Sequence, residues 1–246
     1  MTTSFSTCQY STLVLAYCPV PLAVAVQASK AKGRGRPGGS SGAELLAIAR
    51  QVFLTSGYDA ATMDAVAARA RISKQTLYRQ HPSKQALYVA VVREWVDRGH
   101  DAMRPHTRLL AEAEDVGAGL LRLAQVLHAG VLSAPVLQMR NLIAAEAERF
   151  PEVAADYVTR SWDRNQALLA DALEQLATRG LLRLGPADVA AEQFTWLVLA
   201  APLNRLTLQA GTAHVTAAEL EVTAAEAVST FLSRYGQGTP ARPQAP

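Results

Sequence analysis

Residues 62–84, TMDAVAARARISKQTLYRQHPSK, decide the fold of this chain. Thr62 can cap a helix N-terminus through its hydroxyl, and the apolar residues that follow it have helical spacing. Ser73 can cap a second helix, which we expect to run from Lys74 to about His81 and to stop at Pro82. The stretch therefore predicts two short helices that are joined by a tight turn.

The second of these helices has very little apolar surface. Leu77 is its apolar anchor, and its other side chains are polar, basic or hydroxylated. Such side chains donate to phosphates and read base edges, and in a helix-turn-helix the second helix enters the DNA major groove. Many helical hairpins bind nothing, so the pattern by itself leaves both interpretations open.

A family resemblance favours the DNA-binding interpretation. Residues 43–92 resemble the N-terminal domain of the TetR family of transcriptional regulators. The residues that carry it are Gly57-Tyr58, Thr62, Ile72-Ser73-Lys74, Thr76-Leu77-Tyr78, Pro82-Ser83-Lys84 and Ala86-Leu87. Two positions depart from the family pattern: Arg71 replaces a small residue or glycine in the turn, and Arg79-Gln80-His81 replaces the common Tyr-His-Phe. These departures leave the turn geometry and the base-reading pattern open.

The resemblance and the basic residues near it predict a set of DNA-contacting side chains. The family pattern supports Thr62, Lys74, Gln75, Thr76, Tyr78 and Lys84, and the set also includes the basic residues Arg79, Arg34 and Arg36. Thr62, Tyr78 and Lys84 are expected on phosphates, and the others on the recognition helix at base edges or neighbouring phosphates. The two remaining arginines lie in residues 30–42, a Gly- and Ser-rich segment that is either an arm for the minor groove or a solvated linker.

Charge is distributed unevenly along the chain. Residues 30–84 hold ten Lys and Arg against three Asp and Glu, whereas residues 85–246 hold fourteen Arg against eighteen Asp and Glu. All four lysines fall in the first of these segments. A basic segment followed by an acidic remainder favours a nucleic-acid surface on the first part only.

The remainder of the chain reads as long amphipathic helices. Before residue 62 we expect a helix over 44–56, and after residue 82 a helix over about 83–100 whose outer limit is Pro105. The later helices are predicted at about 115–133, 136–150, 151–179, 187–210 and 216–235. Pro202 lies within the fourth of these and should kink or split it.

The segment from Arg140 to Pro151 and the later Gly180-Leu181-Leu182 resemble the C-terminal domain of AefR-like TetR regulators. That resemblance implies a ligand-binding and dimerisation domain. An apolar cavity could be lined by Trp95, Met139, Trp162, Gln166, Phe194 and Trp196, although such residues are more often plain core. The helix over 187–210 is apolar nearly all round, so it is either a dimer interface or a well-buried core helix.

Together these observations predict an all-α protein with an N-terminal helix-turn-helix domain of three helices and a C-terminal helical bundle for ligand binding and dimerisation. The predicted divisions are a disordered leader and arm (1–42), a DNA-binding domain (43–90), a ligand-binding and dimerisation domain (91–236) and a disordered tail (237–246). The segment from Ser11 to Ala28 is apolar and uncharged, as in a signal peptide or a membrane segment, but no basic residue precedes it, and Pro19 and Pro21 interrupt it. Our hypothesis for residues 1–29 is a disordered extension that arises from a start codon assigned too far upstream.

The predicted function is a cytoplasmic homodimeric repressor, released from a palindromic double-stranded DNA operator by a small apolar inducer. A regulator that answers to a protein partner, or that activates transcription without an inducer, is the alternative. A helical enzyme that uses the same hairpin is a further class, but no catalytic constellation, cofactor motif or metal-ligand spacing occurs, and no membrane association is expected.

Overall fold

The computed structural model describes residues 42–209 and 214–237, which form ten α-helices and one π-helical turn. The helices are α1 (Gly42–Ala60), α2 (Met63–Ala70), α3 (Lys74–Gln80), α4 (Lys84–Ala111), α5 (Val116–Val131), α6 (Ala134–Ala145), α7 (Pro151–Tyr157), α8 (Arg164–Thr178), α9 (Ala187–Leu208) and α10 (Ala217–Tyr235), with the π-helix Val158–Asp163 between α7 and α8. These residues contain no β-strand, so the all-α prediction is confirmed. Arg34, Arg36, most of the predicted leader and arm, and nearly all of the predicted tail lie outside the described residues.

The described residues divide into two compact units. The reader unit contains residues 42–98 and 138–160, and the C-terminal unit contains residues 99–137, 161–209 and 214–237. Their limits do not coincide with the predicted boundary at residue 90, because residues 138–160 pack into the same core as α1–α3. Helix α4 contributes residues to both units.

The core of the reader unit is formed by the apolar stripe of α1. Leu45, Ala49, Val52 and Phe53 are buried in one cluster that also holds a set of residues from α2, α3 and α4. That set includes Val66, Leu77, Leu87 and Val91. The prediction that the first stripe packs against the two short helices is confirmed. Burial of this stripe is what holds the two short helices to the rest of the unit.

An aromatic group closes the end of this core. The ring of Tyr58 lies 5.9 Å from that of Phe53, 5.2 Å from that of Tyr88 and 4.7 Å from that of Phe150. Gly57 directly precedes this group and has a φ of 74°. Glycine adopts this left-handed conformation without steric cost, so the regular helix of α1 breaks there as predicted.

The C-terminal unit has a core of aliphatic residues and alanine, with two aromatic rings at its centre. Phe194 of α9 and Phe231 of α10 are buried, and their rings lie 5.3 Å apart. Leu120 of α5 and Leu173 of α8 belong to the same cluster and are fully buried. The capping box predicted at Thr216 and Glu219 is present and starts α10. The helices predicted at 115–133, 187–210 and 216–235 are observed with ends that differ by a few residues, whereas the single helix predicted over 151–179 is divided into α7, the π-helix and α8.

Two prolines lie in the interior of helices: the predicted helix end at Pro105 was wrong, and the helix that contains Pro202 is not split. Helix α4 continues through Pro105 to Ala111, and α9 continues through Pro202 to Leu208. A proline at position 202 removes the N–H that would bind the carbonyl of Val198 one turn earlier. The ring Nε2 of His128, on α5, lies 2.9 Å from that carbonyl oxygen and replaces the missing donor.

His128 is suited to this role because it is buried, with 5% of its surface exposed. Burial lowers the pKa of His128, which favours the neutral imidazole. A neutral imidazole carries one N–H, and because a carbonyl only accepts, that N–H is on Nε2. A tertiary contact from α5 thus keeps α9 from splitting at its proline.

Candidate nucleic-acid interface

Both helix caps predicted in residues 62–84 are present. The Thr62 hydroxyl accepts a hydrogen bond from the backbone N–H of Ala65 at 3.1 Å, and the Ser73 hydroxyl accepts one from Thr76 at 3.0 Å. Each cap satisfies an N–H that has no partner within its own helix. The starts of α2 and α3 are therefore determined by local interactions, each between a capping hydroxyl and a backbone N–H three residues later.

The turn between α2 and α3 is made by Arg71 in the left-handed conformation, with φ 55° and ψ 37°. Its backbone N–H donates to the carbonyl of Ala68 at 3.2 Å, and that of Ile72 donates to Ala67 at 3.1 Å. The departure of Arg71 from the usual glycine therefore keeps the left-handed geometry that ends α2. The arginine adopts it at a steric cost that a glycine would avoid.

Helix α3 buries one side chain and exposes most of the others. Leu77 is fully buried, whereas 46% of the surface of Tyr78 is exposed. Four of the predicted DNA-contacting residues point outward from this helix: Lys74, Gln75, Tyr78 and Arg79. Thr76 is half-buried, and its hydroxyl lies 2.8 Å from that of Ser73. The helix thus presents a polar, basic face with one aromatic ring, while Thr76 is engaged in the cap.

Lys74 is joined to the preceding helix by an ion pair. Its Nζ lies 2.6 Å from Oδ2 of Asp64 on α2, and both side chains are more than half exposed. Exposed pairs of this kind contribute little to stability, since water screens them. A phosphate group could take the place of the carboxylate at small cost. Sequence reasoning did not identify Asp64, although the residue lies inside the stretch that predicted the interface.

Lys84 is placed differently from the other predicted contacts. Its Nζ donates to the backbone carbonyls of Tyr58, Asp59 and Ala61, at 2.8, 3.0 and 3.1 Å. An ammonium has three N–H donors, so this arrangement leaves none free for a phosphate. The geometry does not match the phosphate contact that was predicted for this lysine.

Residues 146–160 add charged contacts to the reader unit that the sequence did not reveal. Arg149 Nη1 lies 2.5 Å from Oδ1 of Asp59, and its guanidinium carbon lies 4.9 Å from the centre of the Tyr58 ring. The other ion pairs join Arg93 to Asp156 and Arg160 to Asp97. The partners are separated by 63 to 90 residues. Residue spacing carries no signal for such contacts, so they required the tertiary structure.

Four of the six predicted ligand-binding residues lie in the C-terminal unit. The rings of Trp162 and Trp196 are 5.0 Å apart, and the hydroxyl of Thr195 donates to Oε1 of Gln166 at 3.3 Å. Trp162 of the π-helix, Gln166 of α8 and Trp196 of α9 therefore lie close together. Phe194 is fully buried in the core, where it packs on Phe231.

The other two predicted ligand-binding residues belong to the reader unit. Met139 is fully buried in its hydrophobic cluster. Trp95 is half-buried, with the guanidinium of Arg50 at 4.6 Å and that of Arg98 at 5.6 Å from its ring centre. In this structure Met139 is a core residue, and the ring of Trp95 makes cation–π contacts with Arg50 and Arg98.

The surface of α9 and α10 carries exposed apolar side chains. They are Val189, Trp196, Leu197, Leu208 and Val222, with exposed fractions between 37% and 75%. A cleft of about 430 Å³ lies between the same helices. Its lining contains Pro202, Arg205, Glu219 and Val222, and none of the six predicted ligand-binding residues.

Across 42–209 and 214–237, no group of three His, Cys, Asp or Glu side chains is arranged to hold a metal ion. No single helix in these ranges is both long enough and apolar enough to cross a bilayer. The features that stand out in the described part of the chain are the face of α3 and the apolar surface of α9 and α10.

Two family patterns match this chain. Residues 45–91 match the family described as bacterial regulatory proteins, tetR family, and residues 118–237 match the AefR-like transcriptional repressor, C-terminal domain. The first match covers α2, α3 and most of α1. The second covers the helices of the C-terminal unit from α5 onward, together with α6 and α7.

Three similar proteins extend these matches. A crystal structure of a TetR-family transcriptional regulator from Mesorhizobium loti is 32% identical, with a TM-score of 0.75, and the match covers 78% of this chain and 95% of that one. A structure named flavonoid-responsive regulator FrrA is 26% identical, with a TM-score of 0.61, over 79% of this chain and 96% of that one. An uncharacterised helix-turn-helix regulator of Mycobacterium tuberculosis is 33% identical over 143 residues, which are 56% of this chain and 63% of the relative. The chain thus spans less than two thirds of that relative's length.

Proposed function

Because the chain belongs to the TetR family of DNA-binding transcriptional regulators, and is not an enzyme, we propose that it is a cytoplasmic homodimeric repressor. In this proposal two copies bind a palindromic operator, and a small apolar molecule that binds among the C-terminal helices releases them. The exposed polar face of α3, on a helix that buries only Leu77, carries the proposal. A surface helix with so little apolar burial has few uses other than presenting its side chains to a partner.

The chemistry of this face supports major-groove binding. Lys74 and Arg79 supply positive charge, Gln75 can pair with a base edge through its amide, and Tyr78 offers a hydroxyl at the rim. A homodimer would place two copies of α3 in successive major grooves about one helical turn apart. The proposed operator is therefore a palindrome whose half-sites have that spacing or a multiple of it.

The apolar surface of α9 and α10 supports the proposed dimer. Leu197 and Leu208 lie three turns apart on α9 and are 40% and 75% exposed. Burial of such side chains against a second copy would remove apolar surface from water, which is the main favourable term in association. Light scattering after gel filtration tests this: Leu197→Asp should shift the mass from two chains to one, and a wild type that runs as one chain would contradict the dimer.

The neighbouring residues Trp162, Gln166 and Trp196 support a small-molecule site in the C-terminal unit. Two indole rings and one amide suit a flat apolar ligand with a polar substituent. FrrA is flavonoid-responsive by name, so flavonoids are the first class to titrate. Release from DNA is a population shift, so the ligand must bind the DNA-incompetent state more tightly. Calorimetric titration with and without operator checks this, and equal affinity in both would exclude the coupling.

DNA binding itself is tested with the intergenic DNA upstream of the gene, over a series of salt concentrations. A Lys74→Ala, Tyr78→Ala double variant removes one charge and one ring from α3. We expect tight, sequence-preferring and salt-dependent binding by the wild type and its loss in the variant. Equal binding to operator and random DNA would contradict recognition of this region, and selection from a random DNA pool would then identify the preferred sequence. A reporter gene behind the operator distinguishes repression from activation.

A further inference from the structure

The side chain of Lys84, the first residue of α4, is held by backbone carbonyls. Its Nζ lies 2.8 Å from the oxygen of Tyr58, 3.0 Å from that of Asp59 and 3.1 Å from that of Ala61. It also lies 4.4 Å from the centre of the Tyr58 ring. The ammonium therefore uses its three donors and gains a cation–π contact at the same place.

These carbonyls occupy a critical position in the chain. They belong to the segment between Gly57, where α1 breaks, and Thr62, which caps α2. Ala61, the residue before the cap, is itself buried with 2% of its surface exposed. By binding three carbonyls in four consecutive residues, Lys84 fixes the direction in which the chain enters α2.

The direction of α2 in turn sets the position of α3. Val66 of α2 and Leu77 of α3 are buried in the same cluster, and the turn at Arg71 joins the two helices without a flexible linker. A change in the segment before Thr62 would therefore move α3 relative to α1 and α4. A major-groove contact tolerates little displacement, because its hydrogen bonds to base edges are directional.

From this geometry we infer that Lys84 is a positioning residue for DNA recognition and not a phosphate contact. The inference rests on the proposed DNA-binding function and deepens it. Lys74 is the contrasting case in the same interface, since its side chain is 65% exposed and has a single exposed carboxylate partner. Lys74 can exchange that partner for a phosphate, whereas Lys84 would have to release a carbonyl of the α1–α2 segment.

Salt dependence separates the two roles. A lysine that neutralises a phosphate displaces a counterion from the DNA. Removing such a lysine therefore makes the slope of log affinity against log salt less steep, by about 0.9 for each subunit bound to the operator. We expect Lys84→Met to weaken operator binding about tenfold or more with an unchanged slope. Lys74→Met is the matched control, and its salt-dependence slope should become less steep by about 0.9 for each bound subunit. An equal decrease in the steepness of the salt dependence for Lys84→Met would overturn the inference.

Lys84→Arg provides a second variant that retains the charge. A guanidinium is planar and directs its N–H groups in a fork, so it cannot aim three donors at the carbonyls that one ammonium atom binds. Positioning by Lys84 therefore predicts that Lys84→Arg also loses affinity for the operator. A phosphate contact would be retained by arginine, so wild-type affinity in this variant would contradict the inference. Circular dichroism at the working temperature confirms that each variant is folded.

Amide hydrogen exchange without DNA gives a readout that does not depend on the proposed function. In Lys84→Met the amides at the start of α2, those of Ala65 and Val66, should exchange faster, because the segment that leads into their cap is released. Unchanged exchange there would overturn the positioning role. If the wild type showed no sequence-preferring DNA binding, the proposed function would fail, while the exchange experiment would still decide what Lys84 holds in place.

Discussion

The candidate recognition helix α3 and helix α9, which buries one face in the C-terminal core, each lack something that a stable α-helix requires. Helix α3 has 7 residues and one buried side chain, so it is too short and too polar to gain much from packing. Helix α9 has 22 residues and a continuous core face, but Pro202 interrupts its hydrogen bonds. The short helix is completed by a cap in its own sequence, and the long one by a histidine from another helix.

The two helices are stabilised differently because they have different surroundings. If α3 presents its side chains to DNA as proposed, other elements cannot cover it, so its stability comes from a local cap, a turn and one anchor. Helix α9 packs one face against other helices of its unit, so a residue from one of them can supply what its own sequence omits. The predictions below test these two arrangements, beginning with the largest expected effect.

Leu77→Ala should cause the largest loss. Leu77 is fully buried and is the one buried residue of α3. Truncation of a core leucine to alanine costs about 2–5 kcal/mol, and here it also removes the attachment of the helix. We expect a lower free energy of unfolding in urea and loss of operator binding. Gln80→Ala, at an exposed position of α3, is the control, and equal stability of the two variants would show that α3 is held in another way.

His128→Leu should cost about 1–3 kcal/mol, because the Val198 carbonyl loses its donor while it remains buried. Pro202→Ala restores a backbone N–H to that carbonyl from within α9. In the Pro202→Ala background, His128→Leu should therefore cost about 1 kcal/mol less than in the wild type. Urea unfolding of the four proteins measures this coupling. Costs that add independently would show that His128 does not compensate for the proline.

Ser73→Ala should lower stability by about 1 kcal/mol, since the first N–H groups of α3 lose the cap and the Thr76 hydroxyl loses its partner. Operator affinity should fall with it, because α3 is too short to hold its first turn unaided. Ser73→Thr retains the hydroxyl and is the control. The idea that a local cap holds α3 would not survive a Ser73→Ala variant with wild-type unfolding and wild-type operator affinity.

Arg71→Gly should have the smallest effect, and in the stabilising direction. The left-handed conformation costs a residue with a side chain about 1–2 kcal/mol, and the extra freedom of glycine in the unfolded chain offsets about 0.5–1 kcal/mol of that. We expect a gain of about 0.5 kcal/mol in urea unfolding. Arg71→Ala removes the same guanidinium but keeps the Cβ, so it isolates the backbone effect. If Arg71→Gly and Arg71→Ala had the same free energy of unfolding, the proposed backbone strain at this turn would be contradicted.

The sequence alone was sufficient for features that depend on neighbouring residues. The caps at Thr62 and Ser73, the break at Gly57 and the stripe of α1 all arise from groups within one or two helical turns. These local rules predicted the helix-turn-helix and the outward face of α3. They were wrong about the helix end at Pro105, and α9 is not split at Pro202, since a proline ends a helix only when nothing else in the fold accommodates it.

The tertiary structure decided what Lys84, Arg149 and His128 bind. Lys84 is bound to carbonyls that lie 23 to 26 residues earlier, Arg149 to a carboxylate 90 residues away, and His128 to a carbonyl 70 residues away. The same holds for the predicted ligand-binding set, which is divided between two cores. A side chain of given chemistry has many possible partners at such separations, and only the path of the folded chain selects one. Sequence determined which helices form and which face α3 exposes, whereas the fold determined that three carbonyls hold Lys84 while Lys74 has one exposed carboxylate partner.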